Sequence, residues 1–566
     1  MLLQRLKEYA DERMDLPPQL YSETAVRYII ELDPAGRCLG ITDTADGKAK
    51  RGQRYLMPQI TRTSGVKPLL ITDKADYVLG IGKEGSKPQR VHEAHTAYRA
   101  LLDRCAAATA APELHAIQLF LSSDRADMQL PDDVDLTGAS GLITFRVEGV
   151  FPTALPEVQD FWAQEHSNAT EAAVIMQCVV CGEQRPVLRS LQGTLKGIPG
   201  GQSSGTALIS ANAKAFESYG LENSLIAPTC ANCGERFTKA LNHLLNSEQH
   251  RIILAGMACV FWTREVSAFD FGMALSRPDP QQVAALLQSL RTGKPQPGID
   301  ASAFYAVTLS ASGGRAVVRD WIDTTVWEAK RALARWFAWQ RIADDSGAPA
   351  APLGLYGLAG ATVRELKDLP VTTARALVRA ALLNTPLPMS LLFQAVRRSR
   401  AEQSVTRQRA ALIKLVLLSQ HSDLQEDAMV DLDLHNTNPA YRCGRLLAVL
   451  AEVQRNAIGK AAIVDRFYGT ASSAPAAVFG RLLRGAQPHL TKLERDRPGI
   501  AYLLQQRLEE VTAGIASFPA VLTLEEQGLF ALGFYHQRAH DRAQMHAAAA
   551  RKRAEAEGSK ENDTID

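Results

Sequence analysis

The sequence predicts an α+β N-terminal region with an inserted four-cysteine element, followed by an all-α C-terminal helical bundle. Three observations predict it. Short β-prone runs alternate with helical spacing through the first half. Two Cys-x-x-Cys pairs interrupt that half. Beyond a Gly/Ala/Pro-rich stretch at 344–352 the composition turns to Ala, Leu and Arg with helical periodicity.

Met1 to Arg13 mixes Leu2, Leu3 and Leu6 with charges and reads as a short amphipathic helix, without the apolar run of a signal peptide. Thr24–Leu32 and Arg37–Thr42 are β-prone, joined by the turn chemistry of Asp33-Pro34-Ala35-Gly36. Pro68–Gly82 is a further β-prone stretch. His92–Cys105 has helical spacing, with Ala94, Tyr98, Leu101 and Leu102 on one face. Leu142–Val150 and Met257–Thr263 read as strands. Phe304–Ser310 and Arg315–Trp321 read as a hairpin around Ser312-Gly313-Gly314. Trp327–Ala343 is a Trp-rich helix.

A linker over 344–357 then separates a mixed α/β domain, 1–343, from a helical bundle, 358–566. Its helices are predicted at Thr372–Leu383, Leu391–Arg400, Val405–Ser419, Ala440–Asn456, Ala477–Ala486 and Gly499–Ile515. A last one opens at Thr523, with Glu526 completing a capping box.

The 566 residues suffice for more than one domain, and a net charge of +2 makes any nucleic-acid argument a local one. No apolar run reaches the roughly 20 residues that span a bilayer. A cytoplasmic protein with no membrane partner is expected, and its thiols should be reduced. Paired cysteines then favour metal over disulfide.

Four of the eight cysteines form two knuckles, Cys178-x-x-Cys181 and Cys230-x-x-Cys233, each followed by Gly-Glu. Four thiolates close a tetrahedral shell, the chemistry of a structural Zn²⁺ site within a zinc-binding element at about 176–236. The 48 residues between Cys181 and Cys230 exceed the usual spacing, so a folded insertion must bring the knuckles together. Two unrelated pairs, or one redox pair, are the alternative. Cys38, Cys105, Cys259 and Cys443 read as buried structural thiols.

Basic, glycine-spaced stretches offer phosphate-binding chemistry. Between Thr44 and Arg90 ten Lys/Arg stand against four Asp/Glu, and Arg62-Thr63-Ser64-Gly65-Val66-Lys67-Pro68 is the sharpest piece. Arg62 and Lys67 suit a duplex backbone, while Thr63 and Ser64 suit a groove edge. The insertion contains Lys196, Gln202, Ser203 and Ser204 in a Gly/Ser loop that lacks the Gly-Lys-Ser/Thr of a Walker motif. Val371–Arg400 carries Arg375, Arg379, Arg397, Arg398 and Arg400 without an acid, and arginine-bearing helices can track a displaced single strand. A solvated surface, a flexible connector and the outer faces of a bundle are the structural alternatives.

Catalytic signatures are missing. His92-Glu93-Ala94-His95 lacks the i, i+4 spacing of a zincin, Asp431-Leu432-Asp433-Leu434-His435 is one acidic patch with no second, and there is no Gly-x-Ser-x-Gly. A non-catalytic role is expected, against a zinc-dependent nucleic-acid hydrolase and a structural adaptor without DNA contact.

The ordered stretches Arg62–Pro68, Tyr77–Gly80, Lys196-Gly197 with Gly201–Gly205, Ala215–Gly220, Phe304-Tyr305 with Arg315–Trp321, Asn438–Tyr441 with Gly444–Leu446, Asp465–Gly469 and Glu525–Gln537 are similar to the large subunit of the type I-C CRISPR surveillance complex, Cascade. The resemblance implies a subunit at the crRNA 5′ end that contacts the protospacer-adjacent motif of target double-stranded DNA. It also implies opening of the duplex, retention of the displaced strand and recruitment of a helicase-nuclease. Its implied partners include the backbone and crRNA-processing Cascade subunits. A small subunit made from the same C-terminal region is implied as well, from an internal start at Met429, which gives 138 residues, or at a non-AUG codon nearby.

Overall fold

The computed structural model describes residues 1–18, 20–45, 52–60, 65–83, 85–123, 141–168, 174–191, 193–211, 213–291, 301–344, 351–421 and 428–562, with side chains excepted at 166–168, 290–291 and 552–562. The chain forms two compact units. Met1–Leu195 with Ala207–Asn242 make the first, and Lys196–Thr206 with His243–Asp566 the second.

In the first unit α1 (Leu2–Arg13) precedes β1 (Tyr21–Leu32), the spine of a four-stranded sheet. The later half of β1 pairs antiparallel with β2 (Cys38–Asp43), and its earlier half with β3 (Arg54–Pro58). The predicted turn joins β1 to β2: Gly36 donates its N–H to the Asp33 carbonyl at 3.0 Å with φ +79°. A Cβ there would lie 2.7 Å from Leu119 Cβ, so Gly36 is required by both conformation and packing.

The β-prone stretch 68–82 does not form a strand. It carries an isolated bridge, Asp73 to Ile143, and a short helix α2 (Ala75–Val78). Asp73 is fully buried and its carboxylate accepts the N–H groups of Leu69 and Lys74, both at 2.8 Å. Amides taken by this side chain are lost to a ladder on either side of the single bridge.

The helix predicted from His92 is α3 (Pro88–Thr109), and it buries Ala94, Tyr98, Leu101, Leu102 and Cys105. With α4 (Pro112–Ser122), β4 (Leu142–Val147, parallel to β1) and α5 (Pro156–Asn168) it completes the first core. A two-stranded ribbon, β5 (Ile175–Gln177) and β6 (Gln184–Pro186), and α6 (Ala231–Asn246) follow.

The second unit opens with β7 (Arg251–Leu254) and β8 (Met257–Thr263), then α7 (Phe271–Ser276) and α8 (Pro280–Arg291). The predicted hairpin is β9 (Ala303–Ser312) and β10 (Arg315–Thr325), giving an antiparallel sheet of order β10-β9-β8-β7. Helices α9 (Val326–Trp339), α10 (Leu355–Gly360), α11 (Val371–Leu383), α12 (Met389–Glu402) and α13 (Arg407–Gln420) come next. They are followed by α14 (Pro439–Ile458), α15 (Ala462–Ala471), α16 (Phe479–Asp496), α17 (Pro498–Ala513) and α18 (Leu524–Asn562).

One continuous apolar cluster runs from Phe261 and Phe304 of this sheet through Leu333, Leu412 and Leu447 to Phe530 of α18. The sheet therefore packs with the bundle that follows it in sequence. Of the linker expected at 344–357, residues 345–350 lie outside the described residues, and its last three residues open α10.

Two glycines let α14 and α18 approach closely. A Cβ at Gly444 of α14 would lie 2.0 Å from the Phe530 carbonyl oxygen, and one at Gly533 of α18 would lie 2.1 Å from that of Tyr441. The predicted capping box opens α18: Thr523 N–H donates to Glu526 Oε2 at 2.8 Å and Glu526 N–H to Thr523 Oγ1 at 3.3 Å.

Candidate metal centre and exposed basic loops

The first knuckle is the tip of the β5–β6 ribbon. Gly182 turns the chain at φ +78° and donates its N–H to the Cys178 carbonyl at 2.8 Å, while Cys178 N–H donates to the Glu183 carbonyl at 2.9 Å. The second knuckle is the entry to α6, with Gly234 N–H donating to the Cys230 carbonyl at 3.0 Å. Gly234 serves packing and not a turn, since a Cβ there would meet Leu191 Cδ1 at 2.9 Å.

The two knuckles meet because the intervening insertion is closed at its base. Val187 bridges Cys230, and Leu188 N–H donates to the Thr229 carbonyl at 2.9 Å. These bonds answer the long spacing in the sequence: the 48 residues leave and return at one point.

The four sulfurs lie within 4.8 Å of one another, and they are the only group of three or more His, Cys, Asp or Glu side chains so placed among the described residues. A tetrahedral shell with metal–sulfur bonds of about 2.3 Å needs sulfurs about 3.8 Å apart, so the quartet fits a metal ion after a small contraction. Cys178, Cys230 and Cys233 are buried and Cys181 is half-buried. Cys230 donates its N–H to Cys178 Sγ at 3.4 Å, the kind of amide contact that steadies a thiolate.

The thiols share protons unequally. Hydrogen bonding from Cys233 lowers the Cys230 thiol to about 5, and Cys233, holding a proton beside that thiolate, is pushed up. A divalent cation replaces these protons and removes the conflict. Cationic groups stand close enough to act on the sulfurs: Lys7 on Cys233, and Arg185 on Cys181 and Cys230. The element is keyed into its unit by Arg236 of α6, which ion-pairs with Asp11 of α1, and by Glu235, which accepts the Leu20 N–H at 3.3 Å.

Among the other cysteines, Cys105, Cys259 and Cys443 are buried as expected, and burial pushes each thiol up to about 12. Cys38 departs from the expectation. It is half-exposed near the end of the β1–β2 turn, with its thiol 3.7 Å from the Gly40 carbonyl.

Of the duplex-contact candidates, Arg62, Thr63 and Ser64 lie outside the described residues, and Lys67 is exposed. In the insertion loop Lys196, Gln202, Ser203 and Ser204 are all exposed. The loop is shaped by two turns: Gly201 N–H donates to the Ile198 carbonyl at 3.1 Å, and Gly205 N–H to the Gln202 carbonyl at 2.9 Å. It belongs to the second unit, where it leans on the β9–β10 turn. A Cβ at Gly201 would meet Ala311 Cβ at 3.5 Å, and one at Gly314 would meet Gln202 Oε1 at 3.4 Å.

The five displaced-strand candidates divide. Arg375 and Arg379 converge on Asp320 of β10, at 3.4 and 2.7 Å, and Arg398 ion-pairs with Glu402. Arg397 and Arg400 are exposed. The zincin-like fragment is structural, since His95 Nδ1 lies 2.9 Å from the Tyr77 carbonyl and His92 faces solvent. No helix among the described residues is long and apolar enough to cross a membrane.

Together these features define a class: a two-unit α/β chain, helical toward its C-terminus, with a cysteine quartet fit for a metal ion and glycine-rich loops turned outward. The chain belongs to the CRISPR-associated protein family Cas_Csd1, whose family model matches residues 2–541. That membership makes it the large subunit of a CRISPR Cascade, which works with other Cascade subunits and a crRNA. No curated protein matches the chain.

Proposed function

We propose that this chain is the non-catalytic DNA-sensing large subunit of a type I-C Cascade. In this role it grips duplex DNA at the protospacer-adjacent motif, helps open it, holds the displaced strand and presents a surface to a helicase-nuclease. Sequence choice is left to crRNA pairing, so the protein needs only a short motif reader and backbone contacts. Family membership supports the setting. The observation that carries the assignment is the exposed Lys196–Ser204 loop, whose turns and hairpin support hold a lysine, an amide and two hydroxyls outward at little further entropic cost. Lys67, with Arg62, Thr63 and Ser64 beside it in sequence, is the second contact of this kind.

The Cys178, Cys181, Cys230 and Cys233 quartet holds Zn²⁺ as a structural brace. Four sulfur donors leave no open position for water, which separates this reading from a zinc-dependent hydrolase. The C-terminal helices from about Met429 also serve as a separately made small subunit.

The test is a titration of the assembled complex with target duplex across salt concentrations. Replacing Lys67 and Lys196 by Ala should weaken binding and flatten the salt slope by about 0.9 per lost phosphate contact. Unchanged affinity and slope would favour the structural adaptor. Cleavage of DNA by the isolated chain would favour the hydrolase.

A further inference from the structure

The insertion that separates the two knuckles carries two loops of opposite chemistry. Lys196–Thr206 holds a lysine, an amide and hydroxyls without an acid. Residues 213–223 hold one lysine, Lys214, against two acids, Glu217 and Glu222, together with Phe216 and Tyr219. This second loop ends in a tight hairpin. Leu221 donates its N–H to the Ser218 carbonyl at 2.9 Å, with Tyr219 and Gly220 between them at the tip. Tyr219 sits at φ +54° and Gly220 at φ +70°, the pair of left-handed conformations that such a turn requires.

Asn or Gly suits the first of those positions, and a bulky side chain there is strained. The strain brings Tyr219 no packing in return: it is 99% exposed, and Phe216, three residues before it, is 47% exposed. The hairpin is nevertheless pinned at its base. Ser224 and Leu225 are buried. Ser224 donates its N–H to the Arg189 carbonyl at 3.0 Å, and its Oγ accepts the Leu191 N–H at 3.2 Å. An aromatic ring held out on a pinned hairpin has already lost part of the freedom that binding costs, which is how Tyr serves as an interface anchor.

The charges select the partner. A nucleobase stacked on Tyr219 would bring its phosphates beside Glu217 and Glu222, two and three residues away, with Lys214 five residues off. A protein cleft with an apolar floor and a rim of Lys or Arg meets the rings and both carboxylates at once. We propose that residues 213–223 are a docking finger by which this chain seats on a neighbouring protein subunit of its Cascade. Tyr219 fills the cleft, and Glu217 and Glu222 face its basic rim. This contact is independent of any grip on DNA.

The test titrates the full chain onto the other Cascade subunits, loaded with crRNA and assembled without it. Tyr219→Asn keeps a residue that tolerates the left-handed turn and removes the ring, so it should bind weaker on the order of tenfold or more. Tyr219→Phe keeps the ring and should bind like wild type. Glu217→Lys combined with Glu222→Lys should also weaken assembly, most at low salt, while thermal unfolding and affinity for free crRNA stay at wild-type values. If Tyr219→Asn joins the complex like wild type, the finger is no anchor. If the charge-reversed variant joins as well as wild type or better, the partner is not a basic cleft and the proposal fails. If Tyr219→Asn assembles normally yet the complex loses target duplex, the ring stacks on bases, which overturns the proposal too. None of these outcomes removes the DNA-sensing reading, which stands or falls on Lys67 and Lys196.

Discussion

At the scale of single residues, the cysteine quartet is where sequence and structure agree most closely. Residue type and the two-residue gap were enough to select Cys178, Cys181, Cys230 and Cys233, because two Cys-x-x-Cys knuckles together supply the four sulfurs that close a tetrahedral shell. The sequence could not show how 48 residues are bridged, since the closure comes from backbone bonds at Val187 and Leu188. Replacing Cys233 by Ser should lower bound zinc from about one per chain toward zero, read by elemental analysis of the purified protein. Full zinc content in that variant would show that the ion sits elsewhere. Gly444 and Gly533 are a second pair whose role is invisible in sequence. Each could pass for an ordinary helical glycine, yet a Cβ added at either would fall about 2 Å from a carbonyl oxygen of the other helix. Gly444→Ala should cost about 3 kcal/mol, measured by chemical unfolding.

At the scale of elements, helices with one apolar face were legible. Strand β8 and the β9–β10 hairpin were too, because period and turn chemistry are local. The failures have local causes as well. Pro68–Gly82 has strand-forming residues, but Asp73 withdraws the amides a strand would use. Helix α16 continues to Asp496 although the sequence suggests a stop near Ala486; Pro488 is exposed, and a carbonyl freed on the solvent side of a helix is open to water. At the other end of the bundle, Thr523→Ala should destabilise α18 by about 1 kcal/mol through loss of the capping box. Gly485→Ala should act in the opposite sense and stabilise the fold by about 0.5–1 kcal/mol. Thermal unfolding of the two variants checks both signs.

At the scale of the whole molecule, the buried polar seam between α14 and α18 ties stability to acidity. His536 faces the Tyr441 hydroxyl at 3.0 Å, and burial, aided by the Lys414 charge, pushes its imidazole down to about 3. The unfolded chain takes up that proton near pH 6.5. Stability from this group is thus complete above pH 6.5 and is lost as the pH falls toward 3, by about 2 kcal/mol at pH 5. Asp541, whose carboxyl burial pushes up, contributes in the reverse sense. Comparing wild type with His536→Gln at pH 7 and pH 5 in urea isolates the histidine, and the variant should show the smaller loss. Domain layout was the least legible feature. Composition changes at 344–352, whereas packing unites the β7–β10 sheet with the helices after it, and no local pattern in the sequence reports a contact between distant segments.

The excursion of Lys196–Thr206 into the second unit has a topological consequence. The polypeptide passes from one unit to the other at Leu195, returns at Ala207 and passes again after Asn242, so three strands of covalent chain join them. A protease that nicks any one of these crossings leaves two others intact, and the halves stay tethered. Neither unit can be encoded as an uninterrupted gene segment, whereas the stretch from Met429 onward, lying wholly within one unit, can.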